Sequence, residues 1–179
     1  MLPPERGGTK GRKELIVTTE AIRRFEGDHF FLSNFSPSWI EIQGIRYRTL
    51  EHAFAAAKAT DRAVRMRIAK LETPGEAKRA GRRVPLRCGW NEMRVDVMTW
   101  LLARKFADGS FLARRLVKTG DAELVEGNDW GDRFWGQVGG VGENWLGVLL
   151  MRRRAWLMSR TGAPVNVLRE RERYMRDVP

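Results

Sequence analysis

Strand-like patterns are concentrated in one short part of this chain, residues 21–49. Four stretches there show the apolar runs or the alternation typical of strands: 22–25, 30–32, 39–42 and 45–48. The last two flank the turn pair Gln43-Gly44, and this arrangement predicts a β-hairpin. The small sheet therefore comes first in the chain, and most of the remaining core has to be built by helices.

Helical composition begins directly after the hairpin. Glu51–Ala59 is rich in Ala and free of Gly and Pro, and Thr49 stands where an N-cap is expected. Thr73–Glu76 combines a capping residue, Pro in the first turn and Glu three residues on, which is typical of a capping box. Including the two helices that follow Thr49 and Thr73, helices are predicted over 51–59, 61–71, 74–82, 90–106, 111–117 and 144–159.

One long segment, Gly120–Gly142, interrupts the helical pattern. It is rich in Gly, Asp, Asn and Trp, and we predict a loop with one short strand at Glu123–Val125. Loops of this length in compact domains are usually functional or disordered. The embedded rings of Trp130 and Trp135 argue against disorder, so this loop is a candidate part of a site.

The length of 179 residues fits one domain of ordinary size. We expect a flexible basic tail over 1–20, the domain over 21–159 and a basic extension over 160–179. No signal-peptide run or membrane-length apolar segment is present, so a cytoplasmic protein without membrane contact is expected. The single Cys and two His exclude a disulfide framework and a zinc finger.

The net charge of +11 is unevenly distributed. Lys and Arg outnumber Asp and Glu by nine to three over residues 61–87 and by eight to three over 151–179. A basic surface favours an anionic partner, such as nucleic acid or a phosphorylated small molecule, although a merely solubilising surface is the alternative. We expect these basic stretches to lie at the periphery, because the segments with candidate chemistry are close to neutral.

Glu51 and Lys58 are the first candidates for chemistry. At about 100° per residue, seven residues apart on a helix places the two side chains within about 20° of each other. A buried carboxylate can move a proton, and a desolvated Lys amine can attack the anomeric carbon of a ribose. From spacing alone, a solvent-facing pair two turns apart is the alternative.

The loop from Glu123 to Asp132 carries four acidic residues and is followed by further aromatic residues. This combination suits glycosidic chemistry, because a base can stack on a ring while a carboxylate stabilises charge on the sugar. The alternative is that the Trp side chains belong to the core and the acids form turns. Ser33, Asn34 and Phe35 offer polar groups and a ring for ribose or phosphate, or they form a plain turn.

Seven blocks, in order, resemble the NADAR (YbiA-like) N-glycosidase family. They are Phe31–Pro37, Tyr47–Lys58, Thr73–Arg82, Leu101–Phe106, Leu124–Asn128, Asp132–Gly136 and Asn144–Met151. The resemblance implies a compact, mainly helical α+β fold with a small hairpin near the N-terminus. It also implies hydrolysis of an N-glycosidic bond without a metal or an organic cofactor.

Carried over by this resemblance, Glu51 and Lys58 are the catalytic pair and Asp132 is the second acid. Ten residues are expected to bind the substrate, because they match the family or lie beside residues that do. They are Ser33, Asn34, Phe35, Trp90, Glu126, Asn128, Trp130, Trp135, Gly136 and Asn144. Of these, Trp90 and Trp135 are expected to be ring-stacking walls. Our hypothesis for the mechanism is that Lys58 attacks C1′ and holds the opened sugar as an imine while Glu51 moves protons; the alternative is direct attack by water that Glu51 activates.

The expected substrate is ADP-ribosylated guanine, in nucleic acid or as a nucleotide, with functional pairing to a DNA ADP-ribosyltransferase toxin. The positive charge favours this substrate over a phosphorylated riboside, namely a ribosylamino-pyrimidine phosphate of riboflavin synthesis. A non-catalytic module that binds nucleic acid or ADP-ribose is an alternative of another class.

Overall fold

The computed structural model describes residues 20–160 of the chain. Within that range β1 (Pro37–Ile42) pairs with β2 (Ile45–Thr49) in a two-stranded antiparallel sheet. Gln43 and Gly44 connect them with φ of 51° and 70°. Positive φ at both central positions is the signature of the tight turn that matches the twist of a hairpin. The predicted hairpin is therefore confirmed.

Six α-helices follow the hairpin in the described residues. They are α1 (Leu50–Ala57), α2 (Arg62–Ala69), α3 (Pro74–Gly81), α4 (Trp90–Lys105), α5 (Phe111–Val117) and α6 (Trp145–Arg160). The Thr49 hydroxyl accepts from the His52 N–H at the start of α1, and Thr73 and Glu76 complete the predicted capping box of α3. The mainly helical α+β class is confirmed.

The predictions for the two earliest apolar stretches were wrong. Phe30–Leu32 lies in a 3-10 helix, Gly27–Leu32, because a three-residue apolar run fits a helical turn as well as a strand. Ile22–Phe25 forms no named strand, and Ile22 instead makes an isolated parallel bridge to Leu124. The strand predicted at Glu123–Val125 is likewise reduced to this single bridge at Leu124.

α1 is the central element of the fold. Every residue from Leu50 to Ala56 is buried, and the helix packs against α2, α3, α4 and both strands. Packing against these five elements restricts the side chains of α1, including Glu51 in its first turn. The predicted tail and the predicted C-terminal extension lie outside the described residues, apart from positions 20 and 160.

Residues 20–160 contain no helix that combines the length and the apolar character needed to cross a membrane.

Candidate active site

A cavity of about 740 Å³ opens beside α1. Its volume is in the range of sites that bind drug-sized or nucleotide-sized ligands. Most of its lining comes from α1, α3, the segment around the 3-10 helix and the loop between α5 and α6, and Met98 of α4 and Leu146 of α6 complete it. Nine residues predicted for the site line it, namely Ser33, Asn34, Phe35, Glu51, Lys58, Glu126, Trp130, Asp132 and Trp135.

Glu51 is the buried carboxyl of this cavity. It stands in the first turn of α1, its side chain is largely withdrawn from solvent, and its backbone N–H donates to the Asn34 carbonyl at 3.0 Å. Burial raises the pKa of Glu51 from 4.5 to about 7, and the cations of Lys78 and Lys58 only partly oppose that rise. Glu51 can therefore exchange a proton near neutral pH.

Lys58 lies one helix length away, at the C-terminal cap of α1. Its side chain is half-buried and lines the same cavity, so Glu51 and Lys58 do share one face as their spacing predicts. Burial lowers the pKa of the Lys58 ammonium, against the opposing effect of Glu51. Because Glu51 is buried and Lys58 faces the cavity, the alternative of a solvent-facing pair is wrong.

Asp132 faces the pair from the opposite loop. One of its carboxylate oxygens accepts from the backbone N–H groups of Phe134 (3.2 Å) and Trp135 (2.8 Å). These two hydrogen bonds close a turn over residues 132–135 and fix the position of the Asp132 side chain, so Asp132 both forms a turn and lines the cavity. Asp132 raises the pKa of Glu51, so the two carboxyls share one electrostatic environment.

Glu126 is a second carboxyl with a proton to exchange. Burial raises its pKa to about 7, and Lys78 opposes the rise. Its backbone is fixed on both sides, since its N–H donates to Asn144 Oδ1 at 3.0 Å and its carbonyl accepts from Gln137 at 2.9 Å. Within the described residues its carboxyl makes no hydrogen bond, which leaves it available to a ligand.

The NADAR domain profile matches residues 22–158 of this sequence. The chain belongs to the NADAR family. It is 38% identical to N-glycosidase YbiA of Escherichia coli over 133 residues, which cover 73% of this chain and 82% of that protein. The solved NMR structure of E. coli YbiA superposes with a TM-score of 0.73 at 33% identity, over 84% of this chain and 92% of that one.

A longer relative, riboflavin biosynthesis protein VVA0006 of Vibrio vulnificus, is 35% identical over 157 residues. The match covers 85% of this chain but 42% of that protein, so the NADAR chain spans less than half the length of this relative. The relatives that it matches over most of their length are named N-glycosidases. This NADAR chain is accordingly an enzyme of the N-glycosidase class.

The cavity of this NADAR domain also has a basic wall that the sequence analysis missed. Lys78 and Arg79 of α3 and Arg82, the C-cap of that helix, line it, although residues 61–87 were expected to lie at the periphery. That expectation was wrong for α3, because close packing of α3 on α1 turns one face of the helix towards Glu51. The Lys78 ammonium lies 5.7 Å from the Phe35 ring and 5.2 Å from the exposed Trp130 ring.

Four predicted contact residues lie behind the cavity wall instead of on it. Trp90 is 6% exposed and packs on Phe54, whose ring lines the cavity, so the structure places it in the core and not as a stacking wall. Asn144 and Asn128 are buried and hydrogen-bond the backbone of the acidic loop. A side chain at Gly136 would collide with the Glu126 carbonyl.

Trp130 and Trp135 thus have different environments. Trp130 is 60% exposed at the cavity mouth, while Trp135 is half-buried and meets the Phe54 ring edge-on at 5.3 Å. The alternative that both belong to the core is wrong for Trp130. An exposed ring beside a cation is suited to stack on a planar heterocycle.

Proposed function

We propose that this N-glycosidase removes ADP-ribose from guanine, in nucleic acid or in a nucleotide, by hydrolysing the bond between ribose C1′ and the base. The observation that carries the proposal is a single cavity lined both by the cations Lys78, Arg79 and Arg82 and by the carboxyls of Glu51, Glu126 and Asp132, with Lys58 on the face of Glu51. A pyrophosphate needs several cations, because each phosphate carries its own charge. The carboxyls act in the cleavage of the glycosidic bond.

The proposed chemistry divides between the two sides of the cavity. Trp130 and Phe35 stack on planar parts of the ligand, while the α3 cations hold its phosphates. As the bond from C1′ to the base nitrogen breaks, its electron pair leaves with the base, and positive charge develops at C1′. A carboxylate stabilises that charge, and a protonated carboxyl supplies the proton that the leaving base takes up.

A second candidate substrate is a ribosylamino-pyrimidine phosphate, favoured by the relative whose name places it in riboflavin biosynthesis. The same basic wall can hold a single phosphate. The test is to incubate the protein with a guanine-ADP-ribosylated DNA oligonucleotide and, separately, with the pyrimidine phosphate, and to follow base release by mass spectrometry. Release from the DNA alone supports our proposal, and release from the pyrimidine alone contradicts it.

The same assay tests the alternative of a binding module. Binding of the oligonucleotide without release of any base, in the wild type as in Glu51→Ala, would support a non-catalytic module and contradict the proposed activity. The pairing with a toxin that modifies guanine is part of the proposal and requires activity on the DNA substrate. An enzyme inactive on that substrate would have no modification to reverse.

Glu126 is expected to be the acid that protonates the leaving base. Its pKa of about 7 means that it loses its proton as the pH rises through neutrality. The wild-type kcat/KM should therefore decrease above about pH 7. Glu126→Gln should lower kcat/KM on the order of 10²-fold at pH 7 and abolish the alkaline decrease. The measurement is a pH profile of base release from pH 5 to 9.

The matched control is Asp129→Asn in the same loop. The Asp129 carboxylate is exposed and pairs with Arg24 at 2.7 Å, outside the cavity lining. This variant should keep the wild-type rate and the wild-type pH profile. An alkaline limb that persists in Glu126→Gln would assign the proton to another group.

A further inference from the structure

Lys105, the last residue of α4, is a charged side chain inside the core. It is 4% exposed and lines neither the cavity nor its mouth. Its ammonium donates to the Ser33 carbonyl at 2.6 Å and to the Ser36 hydroxyl at 2.8 Å. The Ser36 Oγ lies in turn 3.0 Å from the Ser33 carbonyl oxygen, so one cation holds both ends of the turn.

That turn forms one wall of the site. Ser33, Asn34 and Phe35 line the cavity, and the Asn34 carbonyl accepts the backbone N–H of Glu51 at 3.0 Å. The path from the Lys105 ammonium to the Glu51 backbone therefore consists of two hydrogen bonds and one intervening residue. Asn34 Oδ1 is buried and has no hydrogen-bond partner in the described part of the chain, which leaves it as an acceptor for a ligand.

We infer that Lys105 is a positioning residue of the glycosidase site, which fixes the turn Ser33–Ser36 so that Asn34 and Glu51 are held in register for the substrate. This inference rests on the N-glycosidase function of the chain. A buried ammonium is costly, and an apolar side chain of similar size costs less to bury. The advantage that offsets the cost is the fixed position of the turn between the two acceptors, because Ser33, Asn34 and Phe35 of that turn line the cavity.

Electrostatics supports the same role. Burial lowers the pKa of Lys105 to about 7, and the charge of Glu126 opposes this shift. Lys105 in turn lowers the pKa of Glu126. The Lys105 ammonium thus acts on Glu126 through its charge and on Glu51 through the hydrogen-bonded turn, and it does not line the cavity.

The test is Lys105→Met, which keeps an unbranched side chain as far as the Cε position and removes the ammonium with its hydrogen bonds. Amide hydrogen exchange at Glu51 is measured by NMR relative to the buried Leu150 amide of α6, and base release is measured on the substrate that the wild type cleaves. We expect exchange at Glu51 to accelerate by about tenfold or more relative to Leu150, and kcat/KM to fall about 10²-fold. Ser36→Ala, which removes one acceptor, should show smaller changes in the same directions.

The control is Leu101→Ala in the same helix, which removes buried core volume and leaves the hydrogen-bonding groups of Lys105 and of the turn in place. It should lower stability while exchange at Glu51 and Leu150 changes in parallel and kcat/KM of the folded enzyme stays constant. If Lys105→Met does not fold, Ser36→Ala decides.

Two results would overturn the inference: unchanged relative exchange at Glu51 in the folded variant, or accelerated exchange with wild-type kcat/KM. A wild type that releases no base from the ADP-ribosylated DNA would contradict the proposed substrate. The exchange measurement needs no substrate, so it would still report whether Lys105 holds the turn.

Discussion

Replacing Glu51 with Gln should lower kcat on the order of 10²–10⁴-fold, the usual loss when a positioned acid or base is removed. Gln keeps the shape of the side chain and can neither release nor accept a proton at neutral pH. Glu51 is 8% exposed and fixed in the first turn of the central helix, so the substitution should leave the cavity geometry intact. Base release at saturating substrate is the measurement.

The same variant should be more stable than the wild type above pH 7. The pKa of Glu51 is raised from 4.5 in the unfolded chain to about 7 in the folded protein, so folding favours its protonated form. The stability from that preference is complete below pH 4.5 and is lost as the pH rises to about 7, where the buried carboxylate ionises. Gln does not ionise, so the free energy of unfolding of Glu51→Gln should exceed that of the wild type by about 1–3 kcal/mol at pH 8.

Urea unfolding at pH 4 and pH 8 measures the difference, and Glu41→Gln on β1 is the control because that side chain is exposed. The control should keep both the activity and the stability of the wild type. Glu51→Gln with wild-type kcat would exclude Glu51 from proton transfer. A loss of stability at pH 8 would show that the ionised carboxylate is stabilised in the folded state.

Local rules were sufficient for the hairpin and for most helices. The Gln43-Gly44 turn and the capping box at Thr73 depend on residues within four positions of each other, which a sequence displays directly. The shared face of Glu51 and Lys58 was predictable for the same reason, since one short helix sets it. Their burial was not, because it depends on α2, α3 and α4 packing around α1.

The errors and omissions concern contacts between distant parts of the chain. The family resemblance predicts Trp90 as a ring-stacking wall, but Phe54 lies between Trp90 and the cavity. The charge of α3 was visible in the sequence, whereas the face that it turns to the cavity was not. Lysine is ordinarily exposed, and the acceptors of Lys105 lie 72 and 69 residues away, so no local signal indicates its burial.

Lys58→Met should abolish borohydride trapping and lower kcat on the order of 10²-fold or more, the second large effect that we expect. Burial lowers the pKa of Lys58, so more of its amine is neutral and able to attack than for an exposed lysine. In the imine route, the Lys58 nitrogen would form a bond to C1′ as the bond to the base breaks. Ring opening then gives an imine, and water releases the sugar.

Borohydride added during turnover transfers hydride to the imine carbon and converts the adduct to a stable secondary amine. Mass spectrometry of the digested protein should place the added sugar on Lys58, in distinction from Lys78 in the same cavity. Lys70→Met is the control, because Lys70 is the exposed cap of α2 as Lys58 is the cap of α1. It should keep both the activity and the adduct.

The alternative route, direct attack by water activated by Glu51, predicts a different pair of results. No adduct would form in the wild type, and Lys58→Met would lose affinity for a phosphorylated ligand more than kcat, since it removes only one cation from the cavity lining. In both routes Glu51 exchanges a proton. Loss of kcat in both Glu51→Gln and Lys58→Met, with an adduct on Lys58, therefore assigns the nucleophile to Lys58 and the proton transfer to Glu51.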